Sequence, residues 1–249
     1  MATCEQTAGP PSKARLLVSV RSAEEAQAAL AGGADLIDIK DPDRGSLGCA
    51  VDQWPAILSE LPADVPLSAA LGELSDWRDT ELPVIPDRIG WVKFGLAGQA
   101  TGDWRREWAT VCRRLSGMVQ PVIVAYADWG QCQAPPLEEV CRFARHHVGA
   151  LLLDTFDKRA GTLWDHLTEH QLAKISRSCR QRSCTFAVAG SLTGDSLRRS
   201  AECGCDWVAV RGAACRSGRH GTVDASLVQS LRNSLAVGSR HDKTSSPIA

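Results

Sequence analysis

The residues best equipped for chemistry are charges set among apolar side chains. In Leu36-Ile37-Asp38-Ile39-Lys40 an extended chain alternates its faces, so Ile37 and Ile39 share one side while Asp38 and Lys40 share the other. A lysine and a carboxylate on a buried face carry a large desolvation penalty unless they are paired or functional. The pattern recurs along the chain. Lys93 stands between Val92 and Phe94, Asp154 closes Ala150 to Asp154 with Lys158 in the following loop, and Arg211 closes Trp207 to Arg211. Taken singly, each reads as a structural ion-pair partner.

A collection of amines points to carbonyl chemistry. An amine attacks a carbonyl only when unprotonated, and neighbouring cations with partial burial bring a lysine pKa toward neutrality. The resulting Schiff base is an electron sink that lets an α-proton leave and a C–C bond form. Lys40 is the leading candidate for that nucleophile, and a carboxylate such as Asp154 can shuttle protons between steps. Lysines not used as nucleophiles, Lys93 and Lys158, would stabilise an oxyanion or bind an anionic substrate. On this reading the reaction needs no metal and no organic cofactor.

Such residues need a scaffold that gathers them. Short apolar runs alternate with helix-period stretches from Leu16 to Leu235. Strands are expected at Leu16–Val20, Leu36–Lys40, Leu67–Leu71, Trp91–Phe94, Val122–Tyr126, Ala150–Asp154, Thr185–Ala189 and Trp207–Arg211. Helices are expected between them, the first opened by Ser22 and Glu25 in capping-box spacing and stopped by Gly32 and Gly33. About eight strand–helix units in a chain of 249 residues predict one α/β domain, a parallel (β/α)8 barrel of the TIM type. The third unit is the weakest, because Glu73 to Gly90 holds prolines and several charges and reads as a loop. Gly32-Gly33-Ala34-Asp35 before strand two is echoed by Cys203-Gly204-Cys205-Asp206 before strand eight. The barrel is expected over residues 15–237, with flexible tails at 1–14 and 238–249.

In this fold the active site lies at the C-terminal strand ends. The charges above end strands two, four, six and eight, a distribution that packing alone does not explain. Phosphate is commonly held by the loops after strands seven and eight. Those loops begin Ala189-Gly190-Ser191 and Arg211-Gly212-Ala213-Ala214, where glycine lets backbone N–H groups approach an anion. Gly190, Ser191, Arg211 and Gly212, with Asp38 beside Lys40, form the expected substrate-binding and phosphate-binding set.

Composition limits the alternatives. Hydrophobic residues at 44% and charged residues at 23% suit a chain that buries a sizeable core. A net charge of −1 argues for neither a nucleic-acid nor an anionic-membrane surface. Met1 to Ala14 lacks the apolar segment of a signal peptide, and no apolar run is long enough to span a bilayer. The ten cysteines form no C-x-x-C pair, and most are expected to act as small buried hydrophobes in a reduced, cytoplasmic setting. His166-Leu167-Thr168-Glu169-His170 matches the H-x-x-E-H zinc pattern, but it falls on an outer helix far from the barrel mouth and reads as solvated surface. His146 and His147 read as surface residues too.

Several blocks together resemble the (5-formylfuran-3-yl)methyl phosphate synthase family. They are Leu16-Leu17-Val18-Ser19-Val20, Gly32 to Lys40, Gly45-Ser46-Leu47-Gly48, Trp91-Val92-Lys93-Phe94-Gly95-Leu96, Leu153-Asp154-Thr155 with Lys158, Ala189-Gly190-Ser191-Leu192, and Val210 to Cys215. The resemblance implies a class I aldolase-like barrel, a carbon–oxygen lyase acting on phosphates. It implies condensation of two glyceraldehyde 3-phosphate molecules to a furan aldehyde phosphate, with loss of phosphate and water, toward methanofuran-type one-carbon carriers. The family's Schiff-base lysine falls on Lys40, and its other essential lysines and aspartate fall on Lys93, Lys158 and Asp154. The implied partners are triose phosphates, with a homo-oligomeric state left open. The charged Glu73 to Arg88 loop with Trp77 replaces an Ala-rich helix of archaeal members. Two other readings stand beside this one: another phosphosugar aldolase or isomerase, and a non-catalytic barrel that binds a phosphorylated metabolite.

Overall fold

The computed structural model describes residues 14–237. The expected tails at 1–14 and 238–249 lie outside that range except for Ala14, which is buried. Eight parallel strands pair in chain order and close into a barrel, β8 on β1. They are β1 (Arg15–Val20), β2 (Leu36–Ile39), β3 (Leu67–Glu73), β4 (Ile89–Gly95), β5 (Gln120–Tyr126), β6 (Ala150–Asp154), β7 (Thr185–Val188) and β8 (Trp207–Val210). The helices are α1 (Ala23–Ala31), α2 (Trp54–Glu60), α3 (Trp104–Cys112), α4 (Leu137–Phe143), α5 (Glu169–Arg180), α6 (Gly194–Glu202) and α7 (Ala225–Val237). Among the described residues no α-helix follows β3. Pro83 and Pro86 punctuate that segment, and only a short 3-10 turn at Leu74–Trp77 forms. The loop reading of Glu73–Gly90 therefore holds over residues 74–88, while β3 extends to Glu73 and β4 begins at Ile89.

Strand alternation sorts the core into two layers. Leu16, Val18, Ile37, Ile39, Val92, Phe94, Leu151, Leu153, Phe186 and Val208 point outward and pack under the helices. Leu17, Leu36, Ala70, Val122, Val124, Leu152, Trp207 and Ala209 point inward and fill the lumen. Asp38, Lys93 and Asp154 keep the inward parity, so the barrel delivers them to its interior, as alternation predicts. Arg15 stacks on Trp207 at 3.7 Å, near the strands' N-terminal ends.

The repeated Gly-Ala-Asp and Gly-Cys-Asp segments have one job. Gly33 and Gly204 both adopt φ +87, a left-handed helix stop that a side chain would strain. Each following aspartate then grips the preceding strand by both of its ends. The Asp35 N–H donates to Leu16 O at 2.8 Å and its carboxylate accepts from the Leu16 N–H at 2.9 Å. The Asp206 N–H donates to Phe186 O at 2.8 Å and its carboxylate accepts from the Phe186 N–H at 2.8 Å. Asp206→Ala removes the only side-chain acceptor on a buried strand N–H. It should lower stability by about 1–3 kcal/mol in chemical denaturation, and a loss below the measurement error would contradict that assignment.

Candidate active site

Lys40 follows β2 directly, and its backbone N–H still bonds to Val20 O at 2.9 Å. Its side chain is 7% exposed and enters a cavity of about 360 Å³ at the C-terminal end of the barrel. Ser19, Asp154, Lys158, Gly190 and Arg219 also line that cavity. The amine has one weak contact, to Ser46 O at 3.5 Å, and no carboxylate within ion-pair distance among the described residues. Burial pushes its pKa down to about 7, with Lys158 and Lys93 adding to the drop while the Asp154 and Asp38 carboxylates oppose it. An amine so placed holds a substantial free-base fraction near neutral pH.

Asp154 ends β6 and is 1% exposed. Oδ1 accepts from the Thr155 N–H at 2.8 Å and from the Lys158 ammonium four residues on. Oδ2 is buried and has no hydrogen-bond partner. A buried, unsatisfied carboxylate oxygen is costly, and it retains the capacity to accept a proton or a hydroxyl. Lys158 also donates to Thr155 O, and burial lowers its pKa against the pull of Asp154. The loop carrying it is pinned by Asp128, whose carboxylate accepts from the Phe156 and Asp157 N–H groups at 2.7 and 2.9 Å.

Lys93 and Asp38 face into the barrel but lie deeper than the open cavity. Lys93 was expected at the inner rim, but β4 runs on to Gly95, so Lys93 sits inside the strand. Its ammonium bonds to Asp38, which is 0% exposed and also accepts from Ser68 Oγ at 2.7 Å and Ser19 Oγ at 3.0 Å. Burial works against the Asp38 carboxylate, but the charges of Lys93 and Lys40 and the bonds from Lys93 and Ser68 outweigh it and hold its pKa below the ordinary value. Neither residue lines the open cavity, so the expectation that Asp38 binds substrate is corrected: the pair lies in the floor behind Lys40.

Arg211 is corrected as well. All five of its N–H donors are taken by the protein: Glu25 Oε1 and Oε2, Ser19 O, Arg219 O and Gly221 O. With side chains 2% exposed on both partners, the Arg211–Glu25 pair joins the end of β8 to α1 and leaves no fork for a phosphate. Gly190 and Ser191 do line the cavity, both in left-handed conformation, φ +110 and φ +53. A Cβ on Gly190 would meet Leu163 Cβ at 3.0 Å, so glycine is demanded by space as well as by φ. Gly212 lines the opposite wall and opens a 3-10 turn.

Arg219 was missed. After Gly212–Ala214 the chain folds back on itself, Cys215 against Val223, with the Arg216 N–H donating to Thr222 O at 2.9 Å. The tip of this flap places Arg219 in the cavity wall and His220 on Asp43 at 2.7 Å. The signal was a basic, glycine-bearing loop, Arg216-Ser217-Gly218-Arg219-His220-Gly221, directly after the Arg211 motif. Tyr126 and Glu73 also went unnoticed. They share a 2.6 Å hydrogen bond at the ends of β5 and β3, and burial raises the pKa of both.

The H-x-x-E-H segment is not one helix. Thr168 caps α5 through a capping box with Gln171, so His166 lies in the turn before the helix and His170 in its first turn. Glu169 pairs with Arg199 at 2.8 Å. Among the described residues no three His, Cys, Asp or Glu side chains are grouped to hold a metal ion, and no helix is long and apolar enough to cross a membrane. Six of the nine cysteines described are buried, in line with their expected packing role.

The chain has relatives over nearly its whole described length. Residues 16–232 match the family model described as 4-HFC-P synthase. The (5-formylfuran-3-yl)methyl phosphate synthase of Methanocaldococcus jannaschii is 34% identical over 230 residues, covering 87% of this chain and 97% of that one. The enzyme of the same name from Methanopyrus kandleri is 31% identical over 239 residues, covering 89% and 99%. In fold the barrel is similar to 3-hexulose-6-phosphate synthase from Salmonella typhimurium, with a TM-score of 0.65 over 90% of this chain and 99% of that one at 17% identity. The match spans all eight strands and both halves of the site, and the chain belongs to the 4-HFC-P synthase family.

Proposed function

We propose that this protein condenses two molecules of glyceraldehyde 3-phosphate into (5-formylfuran-3-yl)methyl phosphate, releasing phosphate and water, through a Schiff base on Lys40. The observation that carries the reading is the Lys40 amine, buried without a carboxylate partner among the described residues and with its pKa near 7, in a cavity that Asp154 also lines. An amine supplies a nucleophile and then, as an iminium, an electron sink, so the chemistry calls for no further cofactor.

One triose phosphate isomerises to the ketone, and a triose is held on Lys40 as a Schiff base. Asp154 takes the α-proton, and the enamine attacks the second aldehyde. Ring closure, elimination of phosphate and net loss of two waters then give the furan, hydrolysis of the imine frees Lys40, and aromaticity drives the last steps. Asp154 is the proton shuttle, and Lys158, donating to its other oxygen, keeps that shuttle oriented. Lys93 acts from below: its charge depresses the Lys40 pKa, and its pairing with Asp38 fixes the floor. The Gly190–Ser191 and Gly212 turns face the phosphate groups. The activity is that of a carbon–oxygen lyase. The product suits a precursor of a methanofuran-type one-carbon carrier, in keeping with the methanogen origin of the named relatives.

Borohydride reduction with glyceraldehyde 3-phosphate should leave a mass adduct on the peptide carrying Lys40. Trapping should rise with pH through a midpoint near 7. Lys40→Ala should abolish both the adduct and the ultraviolet absorbance of the furan aldehyde; continued product formation would move the nucleophile elsewhere. Asp154→Asn should still trap substrate but lose furan formation by at least about 100-fold, the scale of a lost acid–base group.

The same pKa makes a stability prediction. Between pH 7 and 10.5 the unfolded chain keeps a proton at position 40 that the folded chain has released. The folded state therefore gains stability as pH rises through that window, and the full burial penalty is present below pH 7. Lys40→Met should be more stable than the parent by about 1–4 kcal/mol near or below neutrality, with the difference fading toward pH 10. Denaturation curves at pH 6 and pH 10 that show the same gap would refute the depressed pKa.

A further inference from the structure

The charges around the cavity do not balance. Lys93 pairs with Asp38, Lys158 with Asp154 and Arg211 with Glu25. Lys40 and Arg219 have no carboxylate within ion-pair distance among the described residues. Lys40 relieves its charge by releasing a proton near neutrality. A guanidinium has no such escape, because it stays protonated in proteins. Arg219 is only partly exposed, and its one side-chain hydrogen bond is Nη2 to Gly45 O at 2.9 Å. The remaining N–H groups of a rigid fork are left in the wall of a polar cavity with no acceptor assigned.

We infer that Arg219 is the substrate-binding residue that grips a phosphate group, in the place that sequence position alone would give to Arg211. The two arginines divide the work. Arg211 is exhausted by Glu25 and backbone carbonyls, and one of those carbonyls is Arg219 O, accepting from Arg211 Nε at 2.8 Å. Arg211 thus holds the backbone of the residue that meets the anion. The flap tip is moored on its far side too, with His220 on Asp43 and the Arg21 guanidinium donating to His220 O at 3.0 Å. With its backbone moored at both sides, Arg219 lines the same cavity as Gly190 and Ser191, and the flap has little entropy left to lose on binding. A planar fork that donates to two phosphate oxygens then discriminates phosphorylated from unphosphorylated aldehydes.

The identity of the molecule carrying the phosphate rests on the reading above; the anion site does not. Inorganic phosphate titrated calorimetrically into the full-length protein should bind. Arg219→Ala should weaken it by about 10-fold to 100-fold, as expected for a charge-assisted bidentate contact. Arg219→Lys should fall between, since it keeps the charge and loses the fork. Arg159→Ala removes an exposed charge near the mouth, paired only with Asp157, and should leave the affinity unchanged. Equal phosphate affinity in the parent and Arg219→Ala, no binding by the parent, or an equal loss in Arg159→Ala would each overturn the assignment. In borohydride trapping, the parent's preference for glyceraldehyde 3-phosphate over glyceraldehyde should fall at least about 10-fold in Arg219→Ala. If the parent traps neither aldehyde yet binds phosphate through Arg219, the Schiff-base reading fails and the anion site stands.

Discussion

Burying positive charge without enough negative charge is the constraint from which the rest of this site follows. Asp38, Asp154 and Glu25 neutralise Lys93, Lys158 and Arg211, and each pair also carries hydrogen bonds that offset its desolvation. The surplus falls on Lys40. Burial lowers its pKa, and with no carboxylate in ion-pair contact among the described residues that drop is only partly opposed. Neighbouring cations do the fine adjustment, and Lys93 is effective because it is held inside the strand, where the dielectric is low and its distance is fixed.

One loop ties the separate parts of the mouth together. Gly45-Ser46-Leu47-Gly48 follows β2 and supplies Ser46 O to the Lys40 amine and Gly45 O to Arg219. Ser46 Oγ donates to Thr155 O at 3.3 Å, the carbonyl that also receives Lys158. Leu47 is buried against the lumen and its carbonyl accepts from the Gly72 N–H at 2.9 Å. Gly48 has to be glycine, since a Cβ there would lie 2.1 Å from Asp41 O. The conformation of four residues thereby sets the relative positions of the β2, β3, β6 and β8 ends.

How much of this could be read from the chain depended on distance in sequence. The barrel was legible because alternation and helix stops are local signals, and the same alternation, with Lys158 in the loop after Asp154, pointed to three residues that line one cavity. Lys93 was misplaced by a register effect: β4 continues because Gly95 pairs with Glu73, a partner on another strand. Arg211 was misassigned because Glu25, which exhausts its fork, lies 186 residues away. Arg219 sits on a flap whose shape depends on contacts with Asp43 and Gly45, again invisible locally. The break before α5 was different, since Thr168 and Gln171 spell a capping box in plain view and the zinc-like spacing drew attention from it.

The Arg211–Glu25 tie has a consequence for the newly made chain. Everything that shields Lys40 on the β8 side, including the Arg219 flap, is synthesised last, and β8 must dock on β1 before the cavity has a wall. Until then the amine at position 40 remains hydrated and keeps the proton of an ordinary lysine. A chain that lacks β8 therefore carries an ordinary lysine where the closed barrel holds one with a lowered pKa. Closing the ring of strands is also the step that takes the Lys40 amine out of water.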